Sequence, residues 1–227
     1  MKQKSLGILI GKKNYSESSL ILSFYTEETG LISFIFKGAK KKKLAIFQLG
    51  IYEIVYFKRP ESNLGIINSL EMAVTLTDIY SNPQKLILSF FVVETLSQTL
   101  KTEQPDTALF TFIRDRILLL ESLDELIFFP ITFLSDLIKQ LGFSPLNEQN
   151  EPSGFDLKSG RFTHEKTQYD EQAVKLIYFS FVGQDYLFDK STAQKALLIL
   201  LDYCKLHFPN FNIDNSLKII RETLYSN

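Results

Sequence analysis

The densest run of one chemistry in this chain is Lys37-Gly38-Ala39-Lys40-Lys41-Lys42-Lys43. Clustered ammonium groups neutralise phosphates and release their counterions, which gives affinity for nucleic acid without sequence preference. Lys12-Lys13 and Lys58-Arg59 add two cationic pairs. Lys12, Lys13, Lys37, Lys40, Lys41, Lys42, Lys43, Lys58 and Arg59 therefore form the candidate set of phosphate contacts, if the fold brings them onto one face. The alternative is a solvated charge run that serves only solubility. Tyr15, Phe24, Tyr25, Phe34, Phe36, Phe47, Tyr52, Tyr56 and Phe57 lie in the same part of the chain. Rings in a basic groove stack on unpaired bases, yet most of these must form a core. Phe34 and Phe36 share a face at a period of two and are expected inside. Tyr15, beside Lys13 in a turn, is the stacking candidate.

Catalytic signatures are missing. Gly11-Lys12-Lys13 is not a phosphate loop, because Leu6 stands where the first glycine is needed and no Ser or Thr follows the lysine. No G-x-S-x-G or H-E-x-x-H occurs. Asp115, Glu121, Asp124 and Glu125 cluster near a helix junction, either as a metal site or as solvated helix ends. His207, followed by Phe208-Pro209, reads as a helix C-terminal cap or a packed side chain. With one cysteine, Cys204, and two distant histidines, His164 and His207, a disulfide framework is excluded and a Cys/His zinc cluster is not expected. No enzyme activity, cofactor or metal is expected.

The 227 residues are 45% hydrophobic and 22% charged, which excludes a disordered or collagen-like chain and allows one large domain or two small ones. The longest apolar stretch, 126–134, contains Pro130 and falls short of the ~18 residues of a membrane span. Residues 1–10 are too short in apolar content for a signal peptide, and Lys12-Lys13 follows where small cleavage-site residues belong. A cytoplasmic, nucleoid-associated protein is expected. The net charge of −1 hides an asymmetry: residues 1–80 carry +4 and residues 81–227 carry −5, a hint that the basic part meets nucleic acid.

The texture changes at the same place. Residues 5–10, 19–25, 31–37, 48–57 and 64–72 read as short β runs separated by turn residues, including Glu27-Glu28-Thr29-Gly30. Five short strands suit a small barrel of the OB type, closed so that no edge is left open. From Asn82-Pro83, a cap followed by a first-turn proline, apolar residues recur at helical spacing. Further helices are expected from Pro105-Asp106, over 124–142 with Pro130 as a kink or early-turn residue, and near 170–182, 192–207 and 214–225. The predicted fold is α+β in two domains: an OB-type barrel over 1–80 for DNA binding, then a helical domain over 81–227 with a metal-free loop insertion near 144–168.

Gly11-Lys12-Lys13-Asn14-Tyr15-Ser16-Glu17-Ser18-Ser19-Leu20, Tyr25-Thr26-Glu27-Glu28-Thr29-Gly30, Phe36-Lys37-Gly38-Ala39-Lys40 and the segment Ala196-Leu197-Leu198 through Tyr203 and His207 resemble, in order and spacing, the bacterial recombination mediator family RecO. The resemblance implies an OB-fold, a helical domain and an ATP-independent role in repair. It implies binding of single- and double-stranded DNA, annealing of complementary strands, and help in loading RecA onto SSB-coated DNA. The implied partners are RecR and the acidic, apolar C-terminal tail of SSB, for which Arg114, Arg116 and Lys139 are candidate contacts. Many relatives carry a four-cysteine zinc finger after a segment like Leu141-Gly142-Phe143. The corresponding stretch here has no cysteine, so zinc is not carried over. The rival readings are an OB-fold interaction adaptor without direct DNA contact and an RNA-binding OB protein.

Overall fold

A computed structural model describes residues 2–41, 45–59, 61–62, 64–100, 104–146, 151–184 and 187–226. Five strands, β1 (Gln3–Asn14), β2 (Leu20–Thr26), β3 (Gly30–Phe36), β4 (Ile51–Phe57) and β5 (Leu64–Met72), close a barrel in the order β1-β2-β3-β5-β4. Every pairing is antiparallel except β3 with β5. Alternation puts Leu20, Leu22, Phe24, Ile32, Phe34 and Phe36 inside with Leu9, Tyr52, Ile54, Tyr56, Ile67 and Leu70. Four of the rings interlock edge to face: Phe24 on Phe34 at 5.9 Å, Phe24 on Tyr52 at 5.9 Å and Phe34 on Tyr56 at 4.8 Å, a geometry favoured by the ring quadrupoles. Gly65 lies opposite Phe34, and a Cβ there would meet the Phe34 ring at 2.4 Å. The small residue is what lets β5 close on β3.

Strand β1 pairs with β4 over Gln3–Ile8 and with β2 over Gly7–Asn14, and a bulge between Leu9 and Gly11 shifts the register within the β2 ladder. Leu9 exchanges hydrogen bonds with the 49–50 segment: its N–H donates to Gly50 O at 3.0 Å and its carbonyl accepts from Leu49 N–H at 2.7 Å. The alternating pattern suggests that β4 begins near residue 48. It begins at Ile51 instead, because Leu49 takes a left-handed conformation (φ 63°) and turns the chain there.

Three helices follow in the same compact unit, which ends at Ser122: α1 (Asp78–Ser81), α2 (Pro83–Thr99) and α3 (Thr107–Ser122). The strand-to-helix change of texture near residue 80 thus marks the end of the barrel, while the compact units divide the chain further on. Asn82 caps α2 as its residue type implies, its Oδ1 accepting from Gln84 N–H at 2.9 Å. The Glu121 carboxylate at the end of α3 accepts from the N–H groups of Thr77, Asp78 and Ile79 at 2.7–2.9 Å, meeting the positive end of α1. Buried Lys85 of α2 donates to the Glu121 carbonyl at 2.8 Å and forms an ion pair with Asp78. These contacts tie the three helices together.

The second unit holds α4 (Phe129–Gln140), a hairpin of β6 (Gly154–Asp156) and β7 (Arg161–Thr163), α5 (Glu171–Val182), α6 (Lys190–His207) and α7 (Asp214–Thr223). Helix α4 starts five residues later than the pattern implies. Pro130 stands in its first turn, where a missing N–H costs nothing. Asp170 caps α5 and Asp189 caps α6 through their carboxylates. The hairpin is pinned by rings. Phe155 stacks on Phe162 at 4.6 Å and tilts against Tyr203 at 5.4 Å, and the Tyr203 hydroxyl donates to Phe143 O at 2.7 Å. His207 packs on Tyr203 at 4.1 Å with Nε2 3.0 Å from Leu157 O. No described helix is long and apolar enough to cross a membrane.

Three outcomes follow. Gly65→Ala should lower stability by about 1–3 kcal/mol through overpacking against Phe34, read from the urea midpoint. Gly11→Ala, whose Cβ would meet only the Ser23 side chain at 3.4 Å, is the control. Burial pushes the Cys204 thiol up to about 12, so Ellman's reagent should fail on the folded chain and react once urea unfolds it. Burial also raises Tyr25 and Tyr203 to about 12, and Tyr52 and Tyr80 above their ordinary value of 10.0. The folded state therefore holds these protons longer than the unfolded state. Their contribution is complete below pH 10 and is lost as pH rises towards 12. Urea midpoints measured upward from pH 9 should fall in that window.

Candidate nucleic-acid interface

Strand β2 begins at Leu20 opposite Phe36, the last residue of β3, so the β1–β2 turn and the segment after β3 share one end of the barrel. The turn is closed by Tyr15 N–H and Ser16 N–H donating to Ser19 O at 3.1 and 3.3 Å. After β3, Gly38 adopts φ 68°, Lys41 N–H donates back to its carbonyl at 3.1 Å, and Ala39 is buried in the barrel core. Lys40 then crosses to the turn: its N–H donates to Ser18 O at 3.2 Å and its Nζ to Ser16 O at 3.0 Å. These bonds gather Lys13, Tyr15, Lys37, Lys40 and Lys41 at one end, all exposed, with Tyr15 58% accessible. Lys42 and Lys43 lie outside the described residues.

The adjacent lysines of β1 part company. The bulge places Lys12 opposite core residue Leu22 and Lys13 opposite outward Ile21. Lys12 stands on the inward side at the barrel mouth, where its Nζ donates to Ile46 O at 3.1 Å. Lys58 and Arg59 follow β4, whose end pairs with the start of β1 (Tyr56 with Gln3). They are not brought to the lysine-rich end. Around the other side they stand two strands from β3, through Phe57 opposite Ile66 and Ile66 opposite Ile35.

Between these two cationic regions lies the outer surface of β2, β3 and β5. Two register rows cross it: Ile21–Ile35–Ile66, and Ser23–Ser33–Leu64. The isoleucines and serines are partly exposed, Leu64 is 37% exposed, and the serine hydroxyls bond at 2.8 Å. Below them Tyr25 packs on Phe110 of α3 at 6.4 Å, so the helix covers the lower part of this surface. The pattern of outward isoleucines in the unit's own alternation was the signal for this floor, since a solvent-facing strand position favours polar residues. The rings hid it: Phe34 and Phe36 are inside as expected, but Phe57 is 39% exposed and Phe47 stacks on Tyr80 at 4.4 Å on the outside.

Arg114 and Arg116, two positions apart on α3, project roughly 200° apart around a helix of 3.6 residues per turn. Arg114 pairs with Asp115 at 3.0 Å and Arg116 lies over the Phe112 ring at 5.5 Å. Lys139 belongs to the other compact unit, where it pairs with Asp136 at 2.6 Å and lies over the Phe181 ring at 5.9 Å. The acidic cluster is likewise divided, with Glu121 occupied at the α1 terminus. Among the described residues no group of three or more His, Cys, Asp or Glu is placed to hold a metal ion.

Residues 1–75 match the family model for the N-terminal part of recombination protein O. The chain is 27% identical to the DNA repair protein RecO of Flavobacterium johnsoniae over 98% of this chain and 99% of that protein. It is 28% identical to the protein of the same name from Bacteroides fragilis over 98% and 99%, and 25% identical to that of Porphyromonas gingivalis over 91% and 93%. A five-stranded closed barrel under this N-terminal match, followed by helices, makes the chain similar to these RecO proteins nearly end to end, with a single cysteine that excludes a four-cysteine cluster.

Proposed function

We propose that this chain is a DNA-binding and strand-annealing protein of recombinational repair that works without ATP and without covalent chemistry. The observation that carries the reading is the bonded gathering of Lys13, Tyr15, Lys37, Lys40 and Lys41 at one end of the barrel. The chain's likeness to proteins named DNA repair protein RecO supports it. Annealing requires that repulsion between two phosphate backbones be reduced while base edges stay free to pair. Lysines are point charges on flexible stems. Their contacts with phosphate are sequence-tolerant and exchange readily, which leaves the bases to select one another. Lys12 donates one ammonium proton to Ile46 O at the mouth and has two further donors to offer phosphate.

The same reading makes single- and double-stranded DNA the ligands and RecR and the SSB tail the protein partners, with assistance to RecA on SSB-coated strands. For these the support is the family resemblance. Arg114 and Arg116 of the first unit and Lys139 of the second stay the candidate contacts for that tail.

The test compares the intact chain with a Lys37→Ala, Lys40→Ala, Lys41→Ala variant in annealing of labelled complementary strands, naked and SSB-coated, without ATP. The variant should bind oligonucleotides of any sequence about tenfold more weakly, and its log affinity against log salt should be shallower by roughly 2 for single strands. Unchanged affinity and slope would reduce the loop to solvated charge. Failure of the intact chain to bind DNA at low salt would transfer the barrel to the adaptor reading, and preference for RNA in competition would transfer it to RNA.

A further inference from the structure

We infer that Tyr80 of α1 is a positioning residue for phosphate contact. Its ring and hydroxyl grip the chain returning from the lysine run, and through that chain they direct the ammonium of Lys12. This rests on the DNA-binding reading above and deepens it, because it makes the helices beside the barrel part of the basic end.

The lysine run lies between two anchors. Ala39 is buried in the barrel core before it and Ile46 after it, with residues 40–45 between them, four of them lysines. On the first side Lys40 is bonded to the β1–β2 turn. On the second side residues 46–50 belong to no strand and are held piece by piece. Phe47 N–H donates to the Tyr52 hydroxyl at 2.8 Å, from the core side. The Gln48 side-chain amide donates to Ile10 O at 3.3 Å. Tyr80 supplies the outer grip. Its ring stacks on Phe47 at 4.4 Å with the planes 21° apart, and its hydroxyl donates to Gln48 O at 3.2 Å. Phe47 is 38% exposed and stands apart from the barrel core, so the stack serves this segment rather than the interior. One residue earlier, the Ile46 carbonyl accepts from the Lys12 ammonium at 3.1 Å. By holding residues 47 and 48, Tyr80 fixes the acceptor that directs Lys12.

Tyr80 is itself held by two other helices. It sits in α1, whose four residues would not persist as a helix alone. The Glu121 carboxylate of α3 accepts from Thr77, Asp78 and Ile79 N–H, and buried Lys85 of α2 pairs with Asp78. The line of contact runs from α2 and α3 through α1 to residues 46–48, and from there to Lys12. A cation already in place loses less freedom when a phosphate arrives than one carried on a loose segment. Loss of the grip leaves the number of available charges as it was and raises the cost of arranging them. This separates positioning from contact, because only a lost phosphate contact flattens the salt dependence of binding.

The test measures binding of a fluorescent oligothymidine to the full chain across a salt series. Tyr80→Leu removes both stack and hydroxyl. Affinity should fall about fivefold, with the slope of log affinity against log salt unchanged. Tyr80→Phe keeps the stack and should restore most of the loss. In a chain whose Lys12, Lys40 and Lys41 are alanine, Tyr80→Leu should cost less than about twofold, because cations that it places are gone. If circular dichroism shows that Tyr80→Leu does not fold, Phe47→Leu strips the same stack from an exposed side chain and should give the same loss at the same slope. Unchanged affinity would overturn the inference. So would an equal loss in the three-alanine chain, which would make the Tyr80–Phe47 pair a direct contact or plain scaffold. If the lysine variant described above binds as the intact chain does, the DNA reading itself fails. If that variant binds more weakly while the Tyr80 and Phe47 variants do not, only the positioning role fails.

Discussion

Strand β1 is shared between two partners, and the barrel depends on how that conflict is resolved. Its first half must follow β4 and its second half β2, yet a single flat strand cannot serve both registers around a small closed surface. One extra residue, Ile10, is inserted in the ladder with β2, two residues past Ile8, the last one paired with β4, and the Leu49–Gly50 backbone bonds Leu9 there. The bulge also exchanges faces. Before it, Leu9 points into the core while Ile8 faces outward with Tyr25; after it, Lys12 faces inward and Lys13 outward. Without the extra residue the two lysines would exchange places, so the chemistry at the basic end follows from a backbone irregularity rather than from the side chains alone.

The two compact units stabilise their less regular parts by different means. In the first, a four-residue helix too short to persist alone is held by a carboxylate from α3 and by a buried lysine from α2. Each polar group there has a partner, which is the condition under which buried charge is tolerable. In the second, the three-residue strands β6 and β7 are held by stacked phenylalanines, by Tyr203 and by His207. Aromatic burial does for this hairpin what a metal cluster does for other small β pieces.

Much of this was legible in the residues. Period-two alternation found all five barrel strands, and residues 64–72 coincide with β5. Asn82 behaves as its type implies. What was hidden is tertiary. A bulge has no composition of its own, so Lys12-Lys13 reads as one pair when it is two positions with different surroundings. Phe57 and Phe47 look like core rings because hydrophobicity does not reveal which side of a strand is covered. Glu121 looks like one member of an acidic cluster, and only the return of α3 to α1 shows it as a helix cap. Arg114 and Arg116 sit close in sequence, but helix geometry sends them apart.

Among the described residues the pairing of β3 with β5 covers Ser33–Leu64, Phe34–Gly65 and Ile35–Ile66, whereas β2 and β3 are paired at seven positions. This is the narrowest seam among them. Local opening follows the least-bonded line, so the closed cylinder behaves mechanically as a curled sheet with a clasp. Ile35 and Ile66 sit on opposite sides of that clasp. Any molecule lying across both bridges it from outside and, by mass action, favours the closed state over the open one. Ligand occupancy and the breathing of the barrel are therefore linked equilibria, and the rate at which the seam opens sets an upper limit on how long an empty barrel stays fully closed.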